Sequence, residues 1–428
     1  TPSSSKNIGE KLMSTPHPPR LVLLTLPVLF ACVTVAAGQH EGGGMMGGST
    51  ERSSKPAATK PANKPASTTP TRKRPPATTA TKPAATTTST AKPAVTNSGP
   101  ANSGASRPSN TTAEYYYQQG EALYNAKKYR DALDPYLKAA QLKPTMSDAW
   151  YRLGWIYNDL EEYETAIDPL KRAVALQPNY AAAHFEIGYA YKKLERFTEA
   201  LAAFQQCVRA KADYASAHYE MGWIHNDLKN YNDAIKSLQL ALQYRANYPE
   251  AHNEMGYALR HLNRSAEAIV QYQQAIRLKP DMGLAYLGLG DVYYYNTKQF
   301  AEAANAYKEG TRLRPDNVTA LYNLAWCYND LERYPDAIDQ LRKAIALKPT
   351  YAEAYNEMGY AFHQLRRYPE AIQSYQSAIR NKADYASAHY NLGVSFIAVR
   401  NKNAALDQYR ILQRIDSARA TKLFNQIK

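Results

Sequence analysis

Nine consecutive residues, KADYASAHY, occupy Lys211–Tyr219 and again Lys382–Tyr390. The copies start 171 positions apart, which is five steps of 34 residues plus one. A 34-residue ruler laid from Ala113 shows what is being repeated. Its eighth place reads Gly120, Gly154, Gly188, Gly222, Gly256, Gly290, Ala325, Gly359 and Gly393. Its twentieth place is alanine nine times: Ala132, Ala166, Ala200, Ala234, Ala268, Ala303, Ala337, Ala371 and Ala405. The twenty-fourth holds a large apolar or aromatic residue throughout, from Tyr136 and Leu170 to Tyr375 and Tyr409. The thirty-second is Pro144, Pro178, Pro280, Pro315 and Pro349, with Ala or Ser elsewhere. The sixth unit is one residue longer, in YYYNTKQF, and supplies the odd position.

This pattern constrains the fold strongly. Small residues at places eight and twenty let two helix axes approach closely. Large residues at four, seven, eleven and twenty-four fill the space around them. Proline cannot donate a backbone hydrogen bond, so it stops a helix at place thirty-two. Each unit therefore predicts a helix, a short turn and a second helix. One unit cannot bury its apolar face alone, so neighbours must stack.

The pattern resembles the tetratricopeptide repeat (TPR) family, whose signature is W-x2-L-G-x2-Y, then A-x3-F, then P. The second unit carries Trp150, Leu153, Gly154, Tyr157, Ala166, Leu170 and Pro178 at those places. The resemblance spans residues 113–419 in nine units. It implies an all-α, right-handed α-solenoid with the first helices lining the concave face. The ends differ, as solenoid ends should: the first unit has polar Gln119, and Leu423, Phe424 and Ile427 fall on one face of a predicted capping helix. A second layer of repetition is visible. GWIYNDL (from Gly154), GWIHNDL (Gly222) and AWCYNDL (Ala325) mark units two, four and seven, and GYAYKKL (Gly188), GYALRHL (Gly256) and GYAFHQL (Gly359) mark three, five and eight.

Binding residues should lie on the first helices. Trp155, Tyr189, Trp223, Tyr257, Trp326 and Tyr360 occupy the ninth place, and Tyr151, Phe185, Tyr219 and Tyr322 the fifth, with Tyr117 and Tyr390. Asn158, Asn226 and Asn329 follow, each before an aspartate, and Glu186, Glu220, Glu254 and Glu357 recur in the sixth place. These rings either pack between adjacent first helices or stack on a ligand, with the acids pairing to Lys or Arg. Some members of the family clamp a C-terminal carboxylate with groove lysines. The lysine positions of that clamp are absent here, its first basic place reading Tyr or Asn, so that mode is not expected. His184, His218, His252 and His389 share the fourth place. One repeat apart, they are too distant to share a metal, and packing roles are expected. Cys207 and Cys327 fall at small-residue core places, so buried thiols are expected. No phosphate loop, GxSxG or HExxH is present, and no cofactor or catalytic group is expected.

Net charge is +14, which invites a nucleic-acid reading until the charge is located. Residues 39–112 carry ten Lys/Arg and two Asp/Glu, while residues 113–428 have a net of only +4. A nucleic-acid partner is therefore not expected. Residues 39–112 repeat Lys-Pro-Ala at Lys55, Lys60, Lys64, Lys82 and Lys92. Such a tract buries too little apolar surface to offset ordering and predicts a disordered linker. Ahead of it, residues 1–38 contain an uncharged stretch from Leu21 to Gly38 after Arg20. It reads as a cleaved signal peptide or a membrane anchor through residues 21–37, with Cys32 as a lipoprotein alternative. Met13 is a plausible true start, with residues 1–12 upstream of it. The expected order is thus 1–38 signal or anchor, 39–112 linker and 113–428 solenoid.

The leading expectation is an exported, non-enzymatic scaffold of the cell envelope, periplasmic, secreted or membrane-anchored, of bacterial style. It would bind a protein or extended peptide on the concave face. A glycan- or cell-wall-binding module in envelope assembly is the alternative. A third reading docks the Lys-Pro-Ala linker into the groove of its own or a neighbouring copy.

Overall fold

The computed structural model describes residues 112–428, which form nineteen helices and no strand. Repeat one is α1 (Ala113–Asn125) and α2 (Tyr129–Leu142), two is α3 (Ser147–Asp159) and α4 (Tyr163–Leu176), and three is α5 (Ala181–Lys193) and α6 (Phe197–Ala210). Then come α7 (Ala215–Asp227) with α8 (Tyr231–Tyr244), α9 (Pro249–His261) with α10 (Ser265–Leu278), and α11 (Gly283–Asp291) with α12 (Phe300–Leu313). The last pairs are α13 (Val318–Asp330) with α14 (Tyr334–Leu347), α15 (Ala352–Gln364) with α16 (Tyr368–Asn381), and α17 (Ala386–Ala398) with α18 (Lys402–Ile415). A final helix, α19 (Ser417–Ile427), closes the array. The signal or anchor and the linker expected from the sequence lie outside the described residues.

Within each pair, contact is made by the expected places. A Cβ added to Gly154 would stand 2.3 Å from Leu170 Cγ, and one added to Gly188 2.7 Å from the Phe204 ring. All nine twentieth-place alanines are fully buried. The prolines stand two residues past helix ends, as Pro178 does after Leu176. At the C-terminus, Leu423 of α19 fills the space over Gly393, and Phe424 stacks on Tyr409 at 4.9 Å. That makes α19 the cap the sequence pattern predicts.

The turn between the two helices is less ordinary. Nine non-glycine residues, one per repeat from Lys127 to Arg400, adopt φ of 57–62°. In eight repeats they build the same helix stop. In the fourth, the Lys229 N–H bonds the Asn226 carbonyl at 3.1 Å and the Asn230 N–H bonds the His225 carbonyl at 2.8 Å. This is a Schellman motif, which satisfies carbonyls left over at the helix end. The sixth repeat absorbs its extra residue in a π-helical turn, Val292–Asn296, at the end of α11.

First helices pack directly on the next first helix, as α3 does on α5, α7 on α9 and α15 on α17. Second helices reach the following repeat through its first helix, as α4 does through α5. The chain is therefore an α-solenoid whose first helices line the inner side.

Candidate functional site

The inner face is built from four places on each first helix. The fifth-place rings pack on the ring at the last place of the same repeat. Tyr151 packs on Tyr180 at 4.9 Å, Phe185 on Tyr214 at 5.1 Å, Tyr219 on Tyr248 at 4.9 Å and Tyr322 on Tyr351 at 5.1 Å. The second ring of each pair closes a repeat, immediately before the next first helix. Tyr219 and Tyr322 are buried; Tyr151 and Phe185 are half-buried.

Ninth-place rings divide into two groups. Tyr189, Tyr257 and Tyr360 each stand edge-on, at 6.3 Å, to the tyrosine that opens the preceding second helix: Tyr163, Tyr231 and Tyr334. Trp223 does the same with Phe197 at 6.3 Å. All four are half-buried. Trp155 and Trp326 are buried. Trp155 lies 4.7 Å from Tyr124 with Arg152 over its ring, and Trp326 lies 5.8 Å from Tyr322 and 6.0 Å from Tyr294. These two indoles therefore contribute chiefly to packing between first helices.

The twelfth place carries a role that the sequence pattern did not reveal. At seven of the eight junctions its side chain reaches the first helix of the next repeat. Asn158 Nδ2 donates to both the backbone carbonyl and Oε2 of Glu186, at 3.0 Å each. Asn226 repeats this with Glu254, at 2.9 and 3.1 Å. Lys192 pairs with Glu220 and lies 3.8 Å from the Trp223 ring centroid. Arg260 pairs with Asp291 at 3.1 Å, both buried. Tyr294 donates to Asp330 at 2.5 Å, His363 Nδ1 meets Ser395 Oγ at 2.9 Å, and Tyr124 packs on Trp155. Asn329 is the exception: it is buried, and its amide has no hydrogen-bond partner among the described residues. The signal was present in the sequence as a place that varies among Asn, Lys, Arg, His and Tyr, all able to donate a hydrogen bond.

Electrostatics follow the layers. The nine first helices, with the π turn, carry thirteen Asp/Glu and four Lys/Arg, a net of −9. Each second helix from α2 to α16 is neutral, and α18 is +2. Burial raises the Asp291 carboxyl above its ordinary range, against the pull of Arg260. Burial also pushes His363 down to about 4.

The fourth-place histidines hold the loops before them. His184, His218 and His389 place Nε2 at 2.8, 2.9 and 3.0 Å from the carbonyls of Pro178, Ala212 and Ala383, six residues back. Trp150 Nε1 donates to Pro144 at 2.9 Å in the same way, so indole and imidazole serve one purpose. His252 instead faces Gln271 at 2.7 Å. Cys207 is buried, which raises its thiol to about 12, and Cys327 is buried too. Among the described residues no group of three His, Cys, Asp or Glu is placed to hold a metal, and no helix is long and apolar enough to cross a membrane.

Models of the tetratricopeptide repeat match residues 185–252 and 287–352, 154–195, 256–296 and 361–398, and 341–373. Together they cover more than half of the chain. The chain belongs to the tetratricopeptide repeat family. Its solved neighbours include YrrB, described as a TPR protein with an unusual peptide-binding site, at 22% identity over 44% of this chain and 97% of that one, TM-score 0.41. The C-terminal part of a TPR repeat-containing protein from Cytophaga hutchinsonii is 16% identical over 56% of this chain and 99% of its own, TM-score 0.48. The pilF protein of Pseudomonas aeruginosa is 20% identical over 49% and 94%, TM-score 0.44. No curated protein matches the chain. TPR arrays are protein–protein interaction scaffolds, and this TPR chain is built as one.

Proposed function

We propose that this TPR array is a non-enzymatic scaffold of the cell envelope that binds an extended peptide or protein segment along its first-helix face. The observation that carries the reading is the row of half-buried rings, Tyr189, Trp223, Tyr257 and Tyr360, set among first helices with a net charge of −9. Half-covered rings are held rigid by their packing partners yet keep a face for stacking on proline or an aliphatic stem. The acidic surround favours segments rich in Lys or Arg, through steering and charge-assisted hydrogen bonds. The uncharged stretch Leu21–Gly38 supports export.

The test compares capture from the native cell by the full chain and by Tyr189→Ala/Trp223→Ala/Tyr257→Ala. Trp155 and Trp326 are left intact because they are buried. Circular dichroism confirms that both chains fold. Loss of capture with folding retained is the expected result, with cross-links from the partner mapping to the first helices. Unchanged capture would remove this face as the binding surface. Cell fractionation, with sequencing of the mature N-terminus, tests the envelope location.

A further inference from the structure

At one point on the inner face a lysine is already seated, and it shows what that surface selects. The Lys192 ammonium lies 3.8 Å from the Trp223 ring centroid and pairs with the Glu220 carboxylate. Both charged side chains are mostly covered, at 11% and 14% exposure. The carboxylate supplies the countercharge and the ring a cation–π face. The two stand three residues apart on one helix, so they share a side of it. The same spacing recurs in Glu186 with Tyr189, Glu254 with Tyr257 and Glu357 with Tyr360. At each of these the carboxylate is buried and already accepts from an asparagine, so a bound segment would meet the half-covered tyrosine ring there and not the acid.

We infer that the occupant of this face is the chain's own segment 39–111, bound intramolecularly; this rests on the peptide-binding reading above and names its ligand. Charge is the first argument. The segment carries ten Lys/Arg against two Asp/Glu, a net of +8; of the first-helix acids, Glu186, Glu254, Asp291 and Glu357 are buried, while Asp159, Asp227 and Asp330, which follow the twelfth place, keep exposed surface. Chemistry is the second. Lys-Pro-Ala occurs five times, each time pairing an ammonium with a proline ring suited to stacking on tyrosine. Proline has fewer backbone states to lose, which lowers the entropy lost on docking. Reach is the third. Adjacent first helices step by about 10 Å, so nine span roughly 80 Å. Seventy-three residues at about 3.1 Å each would span at most roughly 225 Å, and in sequence one residue separates the segment from α1, the first helix of the face. A four-residue spacing such as Lys60 to Lys64 would span about 12 Å if bound extended, near one repeat step.

The experiment uses the full chain and a labelled peptide copying residues 52–95, followed by fluorescence anisotropy. The comparison chain carries Lys55→Gln, Lys60→Gln, Lys64→Gln, Lys82→Gln and Lys92→Gln, which leave the solenoid untouched. A tethered segment acts at an effective concentration on the order of 1 mM, so a segment with a Kd near 100 μM weakens the added peptide about tenfold. The expected result is peptide binding with a Kd near 100 μM to the substituted chain and about tenfold weaker binding to the native chain. The difference should shrink in about 1 M salt, where screening acts over only ~3 Å. Equal binding to both chains, or to neither, overturns the inference. So does a native dimer, seen by sedimentation, that the five substitutions dissociate, because the segment would then bind a second copy. If the peptide binds neither chain while the groove-ring variant still loses its cellular partner, the inference fails and the peptide-binding reading stands.

Discussion

The two contacts that hold this solenoid together differ in kind. Within a repeat, first and second helices meet through Gly or Ala at place eight, Ala at place twenty and a large residue at place twenty-four. That contact is apolar, and place twenty never varies. Between repeats, first helices also meet through place twelve, which is polar or aromatic and varies at almost every junction. The apolar contact makes every repeat alike. The polar one differs from junction to junction, apart from the Asn–Glu pair shared by Asn158 and Asn226, and its side chains are mostly buried between first helices. Breaking the two should therefore give different signatures.

The largest effect is expected at the junction between repeats five and six. Asp291→Ala leaves the buried Arg260 guanidinium without its carboxylate, 3.1 Å away in the native chain. Orphaning a buried charge costs about 3–5 kcal/mol. A guanidinium titration should show that loss, and Arg260→Leu/Asp291→Leu should recover most of it. If the double variant is as weak as the single one, the junction depends on shape and not on charge.

At the junction between repeats eight and nine the signature is pH dependence. His363 is buried neutral and titrates at about 4, against about 6.5 in an unfolded chain. The unfolded chain therefore binds the proton first. Stability is complete above pH 6.5 and falls as pH drops through 6.5 towards 4, by up to about 3 kcal/mol. His363→Gln should flatten denaturant midpoints over that window; a slope that persists would place the titrating group elsewhere.

The asparagine junctions supply an internal control. Asn226→Ala removes two hydrogen bonds to Glu254, one of them to its carboxylate, and should cost about 2 kcal/mol. Asn329→Ala removes an amide without a hydrogen-bond partner among the described residues and should cost under about 0.5 kcal/mol. Thermal melts of the two variants decide it, since equal shifts would mean that the Asn226 bonds contribute little.

Much of this was legible in the sequence because the apolar contact is written in residue size. Gly154 facing Leu170, the nine buried alanines and the α19 cap all follow from small and large residues at fixed spacing. The candidate site was less legible. Trp155 and Trp223 occupy the same place on the ruler, yet one is buried against Tyr124 and the other half-covers Lys192. Their fates depend on the twelfth-place residue of the repeat before, so no single position carries the signal. Asn158 reads as a groove ligand from its place alone. Only its reach of 28 residues, to Glu186, shows that it joins two helices.

The smallest expected effect lies at the joint between the two layers. Nine left-handed residues close the first helices, and none is glycine. A side chain with a Cβ is disfavoured in that region by roughly 1–2 kcal/mol, and glycine there removes the clash. Glycine also makes the unfolded chain more flexible, which returns about 0.4–1 kcal/mol of the gain. Lys229→Gly changes an exposed side chain and keeps the backbone bonds to Asn226 and His225 open to the same groups. It should therefore stabilise the fourth repeat by about 0.5 kcal/mol, read as a small upward shift in melting temperature. A downward shift would mean that the Lys229 side chain contributes more than its backbone conformation costs. The joint would then be specified by the charged residues there, and not merely tolerant of them.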